Sequence, residues 1–169
     1  MKVVITGNAS GIGKSLTEAF SEAGHSVIGY DIKENKNICD QMVVDELIND
    51  CSDADVFVNN VLTNQVSVLQ QISSIMKDKL IINISSAITY YYTHETIPED
   101  LYKYFEHKKE LDVMCSKLSN VMNVRPAWVD TAFIEHIDVP KMKPEHLAEL
   151  ILFHVNNREK YQVIDVVVK

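Results

Sequence analysis

A chain of 169 residues with a net charge of −8 is long enough to bury one substantial core, so a single domain over residues 1–169 is expected. The acidic charge disfavours a nucleic-acid-binding surface. The three widely spaced cysteines contain no C-x-x-C pair, and the six histidines lack metal-ligand spacing, which argues against a disulfide framework and against a metal site. A signal peptide and an eighteen-residue apolar run are both lacking, so a cytoplasmic protein without a membrane partner is expected.

The first fifteen residues combine a short apolar run with a glycine-rich turn. Val3-Val4-Ile5 predicts a strand, and Thr6-Gly7-Asn8-Ala9-Ser10-Gly11-Ile12-Gly13 follows it directly. Glycines permit a sharp turn and remove the Cβ atoms that would keep a pyrophosphate away. The helix predicted next would point unpaired N–H groups and its positive dipole end at a bound phosphate. The stretch is therefore interpreted as a phosphate-binding turn.

Two kinds of phosphate site compete for this turn. Gly13-Lys14-Ser15 resembles the end of a P-loop, but a P-loop requires glycine at the position of Asn8. A dinucleotide-binding turn instead requires an acidic residue at the end of the next strand, about 20 residues on. Asp31 ends the apolar stretch that begins at Ser26, eighteen residues after Gly13. The dinucleotide interpretation is preferred, and a phosphotransferase that uses Lys14 and Ser15 is the less favoured alternative.

Further along the chain, apolar runs alternate with segments that have apolar residues at helical spacing. Strands are predicted at Asn37–Asp40 (very short), Asp55–Asn60, Leu80–Ile84, Val121–Val124 and Gln162–Val168 (buried). Helices are predicted over Met42–Cys51, from a cap at Thr63 or Asn64 to Lys77 with Val68, Leu69, Ile72, Ile75 and Met76 inside, from Pro98–Asp100 toward Ser119, and from Pro144. Ala87–Asp100 is predicted to be a long loop. Together these elements predict an α/β domain with a Rossmann-type, doubly wound parallel sheet and helices on both faces.

In this order the chain resembles the short-chain dehydrogenase/reductase family, as an unusually short member. The resemblance covers almost the whole sequence. It depends on six matches, each of low specificity alone: Thr6-Gly7 with Gly11-Ile12-Gly13, Asp31, Asn59-Asn60, Asn83-Ile84-Ser85-Ser86, Tyr104 with Lys108 as Y-x-x-x-K, and Pro126-Ala127-Trp128-Val129-Asp130-Thr131. Their order in the chain gives the set its weight.

The resemblance implies a catalytic group of Ser86, Tyr104 and Lys108. Tyr104 and Lys108 are four residues apart and therefore share one helical face. Tyr104 would act as general acid and base, and Lys108 would lower the pKa of Tyr104 from its usual value of about 10. Ser86 would orient the substrate carbonyl, with Ser85 as the substitute if the register is shifted by one. The implied partner is a small alcohol or carbonyl substrate.

The resemblance also implies a nicotinamide cofactor, with NAD(H) preferred over NADP(H). Asp31 would accept hydrogen bonds from the adenosine ribose and repel a 2′-phosphate, although Lys14 and Lys33 would soften that preference. Asp40 matches the residue on the adenine side. The full set of implied cofactor-binding residues is Gly7, Ser10, Gly11, Ile12, Gly13, Asp31, Asp40, Asn59, Asn60, Pro126, Val129 and Thr131.

The chain departs from the family in its short segments. The family's asparagine on the fourth helix has no secure counterpart, and Asn64 is the nearest candidate. The interval from Tyr104 to Pro126 trims a helix that usually contributes to a dimer interface, which leaves a homo-oligomer as an open question. The alternative function is a non-catalytic NAD(P)-binding or scaffold protein with the same fold.

Overall fold

The computed structural model describes residues 1–160 and 163–169. Within these residues six parallel strands form one sheet in the order β2-β1-β3-β4-β5-β6. The strands are β1 (Lys2–Thr6), β2 (Ser26–Tyr30), β3 (Val56–Asn59), β4 (Leu80–Ile84), β5 (Val121–Pro126) and β6 (Asp165–Val168). The helices are α1 (Gly11–Glu22), α2 (Gln41–Ser52), α3 (Gln65–Ile75), the short α4 (Ile88–Tyr91), α5 (Tyr102–Cys115) and α6 (Pro144–Asn156).

The strands are continuous apolar runs because the sheet is covered on both faces. Val3 and Ile5 of β1 pack on the face that carries α1 and α6, whereas Val4 packs on the opposite face with α2, α3 and α5. The predicted doubly wound α/β domain is therefore confirmed. The strand order reverses between β1 and β3, and open α/β sheets bind ligands at the carboxyl ends of the strands at such a point.

Three structural predictions are wrong. Residues 37–40 form a turn instead of a strand: the Asn37 carbonyl accepts from the Asp40 amide (2.9 Å), and the Asn37 side chain accepts from the Cys39 amide (3.1 Å). Ile75 is 42% exposed because α3 ends there. The final strand is only partly buried, since it lies at the edge of the sheet, and it begins at Asp165. The predicted start at Gln162 lies outside the described residues.

The middle of the chain is more regular than predicted. The loop expected over Ala87–Asp100 contains the one-turn helix α4, and α5 begins after a 3₁₀ turn over Glu99–Leu101. A second such turn, Ala132–Ile134, lies between β5 and α6. Among the described residues, no helix has the length and apolar character needed to cross a membrane.

Candidate active site

The glycine turn between β1 and α1 is built so closely that side chains are excluded from it. Gly7 has φ of 71°, a backbone conformation that favours glycine. A Cβ atom on Gly13 would lie 2.0 Å from the carbonyl oxygen of Gly7, so the first turn of α1 packs directly on the preceding loop. Asn60, after β3, donates from Nδ2 to the carbonyl oxygen of Thr6 (3.0 Å) and lies against the same glycines. The sequence from Thr6 to Gly13 thus brings the end of β1, the start of α1 and the end of β3 together.

The start of α1 has the properties of an anion-binding site. Ser10 precedes the helix, but its side chain does not cap it, and the first turn carries no acidic residue. The amides of this turn are left to an external acceptor, and the helix dipole favours a negative one. Thr131, from the segment after β5, approaches the other side of the turn, 3.1 Å from the position of a Cβ atom on Gly11. This arrangement fits the pyrophosphate of a dinucleotide between the turn and the β5 segment.

Asp31 lies at the end of β2 and is held in place by two backbone amides. Its Oδ1 accepts from the Lys33 amide (2.8 Å), and its Oδ2 accepts from the Ala9 amide of the glycine turn (3.2 Å). A carboxylate has about four acceptor positions, so two remain for another donor. The second predicted acidic residue, Asp40, is exposed and caps α2 by accepting from the Met42 amide (2.9 Å).

The side chains that a P-loop would use are engaged elsewhere. Lys14 forms an ion pair with Glu18 on the exposed surface of α1 (3.6 Å). Ser15 is buried and donates to Glu145 on α6 (3.4 Å). These contacts do not support the phosphotransferase alternative.

Ser86 and Tyr104 meet beyond the carboxyl end of β4. Ser86 follows β4, Tyr104 lies in the first turn of α5, and the Ser86 hydroxyl is close enough to the Tyr104 phenol to lower the pKa of that phenol. Ser85 has a different orientation: it is buried, and its hydroxyl donates to Asp112 (2.7 Å). Of the two serines, Ser86 therefore faces Tyr104. The ring of Phe133 from the Ala132–Ile134 turn lies 6.1 Å from the Tyr104 ring, centroid to centroid.

The expected lowering of the Tyr104 pKa is wrong for this structure. Burial raises the pKa of Tyr104 above 10.0, and the nearby Ser86 hydroxyl only partly opposes that effect. Lys108 is on the same helical face as predicted, with Nζ 5.7 Å from the centroid of the Tyr104 ring. The Lys108 ammonium donates to Gln65 and to the Ile84 carbonyl instead. Burial therefore has a larger effect on the Tyr104 pKa than the charge of Lys108 has.

Lys108 is itself buried, with 3% of its surface exposed. Nζ donates to the carbonyl oxygen of Ile84 (2.9 Å) and to Oε1 of Gln65 (2.9 Å), which leaves one of its three N–H groups for a further acceptor. Burial lowers its pKa to about 8, against the opposing charge of Asp112.

Gln65 is the site residue that sequence reasoning missed. It is the first residue of α3, it is fully buried, and its Nε2 donates to the carbonyl oxygens of Asn59 (2.8 Å) and Ile84 (2.9 Å). Asn64, the candidate from the sequence, instead donates to the carbonyl oxygen of Ile38 (2.8 Å) and makes no bond to the catalytic group. A signal for Gln65 was present, because it is the one polar residue on the face that Val68, Leu69 and Ile72 define.

The remaining predicted residues lie along the same edge of the sheet. Asn59 is buried at the end of β3, Pro126 ends β5, and Val129 is buried in the segment that follows. Val129 forms an isolated bridge with Met142, which holds this segment beside the sheet. The structure therefore places the predicted cofactor residues, apart from the more remote Asp40, around the carboxyl ends of β1 to β5.

Solved structures share this fold, although no family model and no curated protein matches the chain. The 3-ketoacyl-(acyl-carrier-protein) reductase from Brucella melitensis, complexed with NADH, is similar with a TM-score of 0.80 at 15% identity, over 99% of this chain and 95% of the other. A short-chain dehydrogenase from Burkholderia cenocepacia in complex with NADP has a TM-score of 0.77 at 16% identity, over 99% and 87%. The 3-alpha-hydroxysteroid dehydrogenase from a Pseudomonas species, complexed with NADH, has a TM-score of 0.70 at 17% identity, over 99% and 94%. The chain thus has the fold of the short-chain dehydrogenases over nearly its whole length.

Proposed function

We propose that this chain, with its short-chain dehydrogenase fold, is an oxidoreductase that transfers hydride between NAD(H) and a hydroxyl or carbonyl group of a small substrate. The observation that carries the proposal is the meeting of Ser86, Tyr104 and Lys108 beside the glycine turn. Lys108 contacts Gln65, Gln65 contacts the end of β3 at Asn59, and the next residue, Asn60, contacts the glycine turn. Proton-transfer groups and a dinucleotide cradle are therefore parts of one continuous structure.

Each group of the chain has a defined task in this proposal. The turn from Gly7 to Gly13 and the start of α1 hold the pyrophosphate, while Pro126, Val129 and Thr131 flank the nicotinamide. The bound cofactor supplies or accepts the hydride. Ser86 orients the substrate oxygen, and Tyr104 exchanges a proton with it. Lys108 has one unused N–H group to bind a ribose hydroxyl.

The protonation state of Tyr104 predicts how each direction of the reaction responds to pH. Its raised pKa keeps the phenol protonated near neutral pH, which suits donation of a proton to a carbonyl that is being reduced. Alcohol oxidation needs the phenolate, so its rate is expected to rise by about tenfold for each pH unit between 7 and 9, while the reduction rate stays nearly constant. Steady-state rates in both directions across this interval measure the effect, and equal pH dependence in the two directions would contradict the assignment.

A preference for NAD(H) over NADP(H) follows from the position of Asp31. Two backbone amides hold its carboxylate at the end of β2 and leave acceptor positions for ribose hydroxyls. The same negative charge repels a 2′-phosphate. Calorimetric titration with NADH, NADPH and Mg-ATP tests this. NADH is expected to bind most tightly, and Asp31→Ser is expected to reduce the ratio between the two nicotinamide affinities. Binding of Mg-ATP alone would overturn the proposal.

The catalytic role of Tyr104 has a matched control on the same helix. Tyr104→Phe is expected to lower kcat by about a hundredfold or more and to leave NADH affinity unchanged. Tyr102 is exposed and has Glu106 in place of a lysine four residues on, so Tyr102→Phe is expected to retain the wild-type rate. Rates are measured on a panel of alcohols and carbonyl compounds. Tight NADH binding by the wild type without a rate on any of them would favour a binding or scaffold protein.

A further inference from the structure

Three asparagines form a continuous row of hydrogen bonds through the buried sheet. Asn59, Asn83 and Asn123 are in register on β3, β4 and β5, and all three are buried. Nδ2 of Asn59 donates to Oδ1 of Asn83 (3.0 Å), and Nδ2 of Asn83 donates to Oδ1 of Asn123 (2.9 Å). We call these three residues the amide ladder. Asn59 and Asn83 point their N–H₂ groups toward β5, and Asn123 points its N–H₂ group onward to Asp112.

Asp112 on α5 receives the last hydrogen bond of the amide ladder. Nδ2 of Asn123 donates to Oδ1 of Asp112 (2.8 Å), and the Ser85 hydroxyl donates to the same oxygen (2.7 Å). An ionised carboxylate only accepts hydrogen bonds, so it requires Asn123 to face it with nitrogen. Asn123 must then turn its oxygen to Asn83, and the requirement passes along the ladder. The Asp112 carboxylate at one end therefore favours the observed orientation of each amide in the row.

Gln65 connects the amide ladder to Lys108 through Asn83, the middle residue of the ladder. Its Nε2 lies 3.4 Å from Oδ1 of Asn83 and donates to two backbone carbonyls, so its oxygen is left to face Lys108. Oε1 accepts from Lys108 Nζ at 2.9 Å. If Asn83 turned its N–H₂ group to Gln65, two donors would face each other. In the observed orientation the Asn83 oxygen faces the Gln65 N–H₂ group. Lys108 thus donates to the side chain of Gln65, which contacts the row at Asn83, two hydrogen bonds away from Asp112.

The charges around the ladder favour a cation at the position of Lys108. Nζ of Lys108 bonds only neutral acceptors in the described structure, yet the side chain is buried. On the other side, Arg125 lies 3.2 Å from Asp112 and pairs with Asp165 through two nitrogens (2.9 and 2.7 Å). Two carboxylates and one guanidinium leave one negative charge, and the Lys108 ammonium balances it. Buried charges are tolerated when they are paired in this way.

We infer that Asp112 is a positioning residue for Lys108: its carboxylate orients the amide ladder and provides the buried counter-charge that keeps Lys108 protonated and directed at the reaction site. Asp112 lies one helical turn after Lys108 on α5. Among the described residues its side chain contacts Ser85, Asn123 and Arg125, and it contacts neither the glycine turn nor Tyr104. The inference deepens the proposed function and rests on the same site. Its central test does not require turnover, so it is decided even if the chain has no activity.

The test measures the pKa of Lys108 by NMR in protein labelled with ¹⁵N and ¹³C at the lysine side chains. Asp112→Asn is expected to lower the Lys108 pKa by about one, because it removes the opposite charge and keeps the shape. Ser85→Ala is the matched control, since it removes a hydrogen bond to the same carboxylate oxygen but leaves the charge. The control is expected to leave the Lys108 pKa close to the wild-type value. The ionisable side chains in this region are Tyr104, His107, Asp112 and Cys115 on α5, Arg125 on β5 and Asp165 on β6.

A second variant covers the case in which Asp112→Asn does not fold. Arg125→Gln removes the guanidinium that shields Asp112, so it is expected to raise the Lys108 pKa, opposite in sign to Asp112→Asn. A Lys108 pKa that is unchanged in every folded variant, or one that falls equally in Ser85→Ala and Asp112→Asn, would overturn the inference.

Discussion

The burial of Lys108 predicts that the fold becomes more stable as the pH rises above neutrality. Its pKa is lowered to about 8 in the folded protein, from 10.5 for a solvated lysine. Below about pH 8, Lys108 is protonated in both the folded and the unfolded protein, so the free-energy penalty for burying its charge is fully present. Between these two values the unfolded state binds more protons than the folded state, so the free energy of unfolding rises with pH.

The size of this effect follows from the difference between the two pKa values. A difference of 10.5 − 8 corresponds to about 3 kcal/mol, of which about 2 kcal/mol is gained between pH 7 and pH 9.5. Cys51 and Cys115 act in the opposite direction, because burial raises the pKa of each thiol to about 12. Their unfolded forms lose protons first as the pH rises, which lowers stability. The Lys108 contribution therefore has to be measured as a difference between two proteins that share both cysteines.

Lys108→Met provides that difference, and Lys103→Met provides the control. Lys103 is exposed on the same helix, so its replacement removes a charge without removing a buried one. Urea unfolding followed by circular dichroism gives the free energy of unfolding at pH 7 and pH 9.5. The stability of the wild type relative to Lys108→Met is expected to rise by about 2 kcal/mol over this interval, while the comparison with Lys103→Met stays flat. A Lys108→Met comparison that is equally flat would refute the claim that burial controls the Lys108 pKa.

Two further predictions concern the glycine turn and the cysteines. Gly13→Ala places a Cβ atom 2.0 Å from the Gly7 carbonyl oxygen, so it is expected to lower the free energy of unfolding by about 3 kcal/mol and to abolish NADH binding in calorimetry. Gly24→Ala, which has a positive φ but open space around it, is expected to cost about 1 kcal/mol and to leave binding intact; equal losses in both would contradict the packing argument. Cys39 is exposed and the other two cysteines are buried, so mass spectrometry of native protein treated with a thiol reagent at pH 8 should show one modification, against three in urea. Rapid modification at a second site of the native protein would contradict the assigned burial.

The regular elements could be predicted from the sequence because their signals are local. A strand of a parallel sheet is buried on both sides, so β1, β3 and β4 appear as short runs in which apolar residues predominate. The helices between them carry apolar residues at helical spacing. The errors lie where packing decides the outcome. Ile38 is buried in the core, which gives residues 37–40 an apolar position. They nevertheless form a turn, because the side chain and the carbonyl of Asn37 accept hydrogen bonds from the amides of Cys39 and Asp40.

The proximity of Ser86, Tyr104 and Lys108 was predictable from the sequence, but the contacts of this group with the rest of the chain were not. Y-x-x-x-K spacing places Tyr104 and Lys108 on one face of α5, which the structure confirms. Spacing cannot show that Gln65, from another helix, meets Lys108. An asparagine was expected in this role, which favoured Asn64. The position of the start of α3 against the sheet decides that Gln65, and not Asn64, points toward Lys108. The sign of the Tyr104 pKa change likewise depends on burial, for which the sequence has no local signal.

Each of the three central strands combines apolar core residues with one buried asparagine. In β3, β4 and β5 the first residues are apolar and a buried asparagine follows: Asn59 ends β3, Asn83 is the fourth of five residues in β4, and Asn123 is the third of six in β5. Parallel strands in register bring these side chains into one row, on the sheet face covered by α3 and α5. Apolar residues would fill the same positions without any need for hydrogen-bond partners, whereas buried amides need bonds; among the described residues all the amide groups of this row have them except Oδ1 of Asn59. The row contacts Gln65 at Asn83 and ends on Asp112, so it is the connection through which we infer that Asp112 positions Lys108.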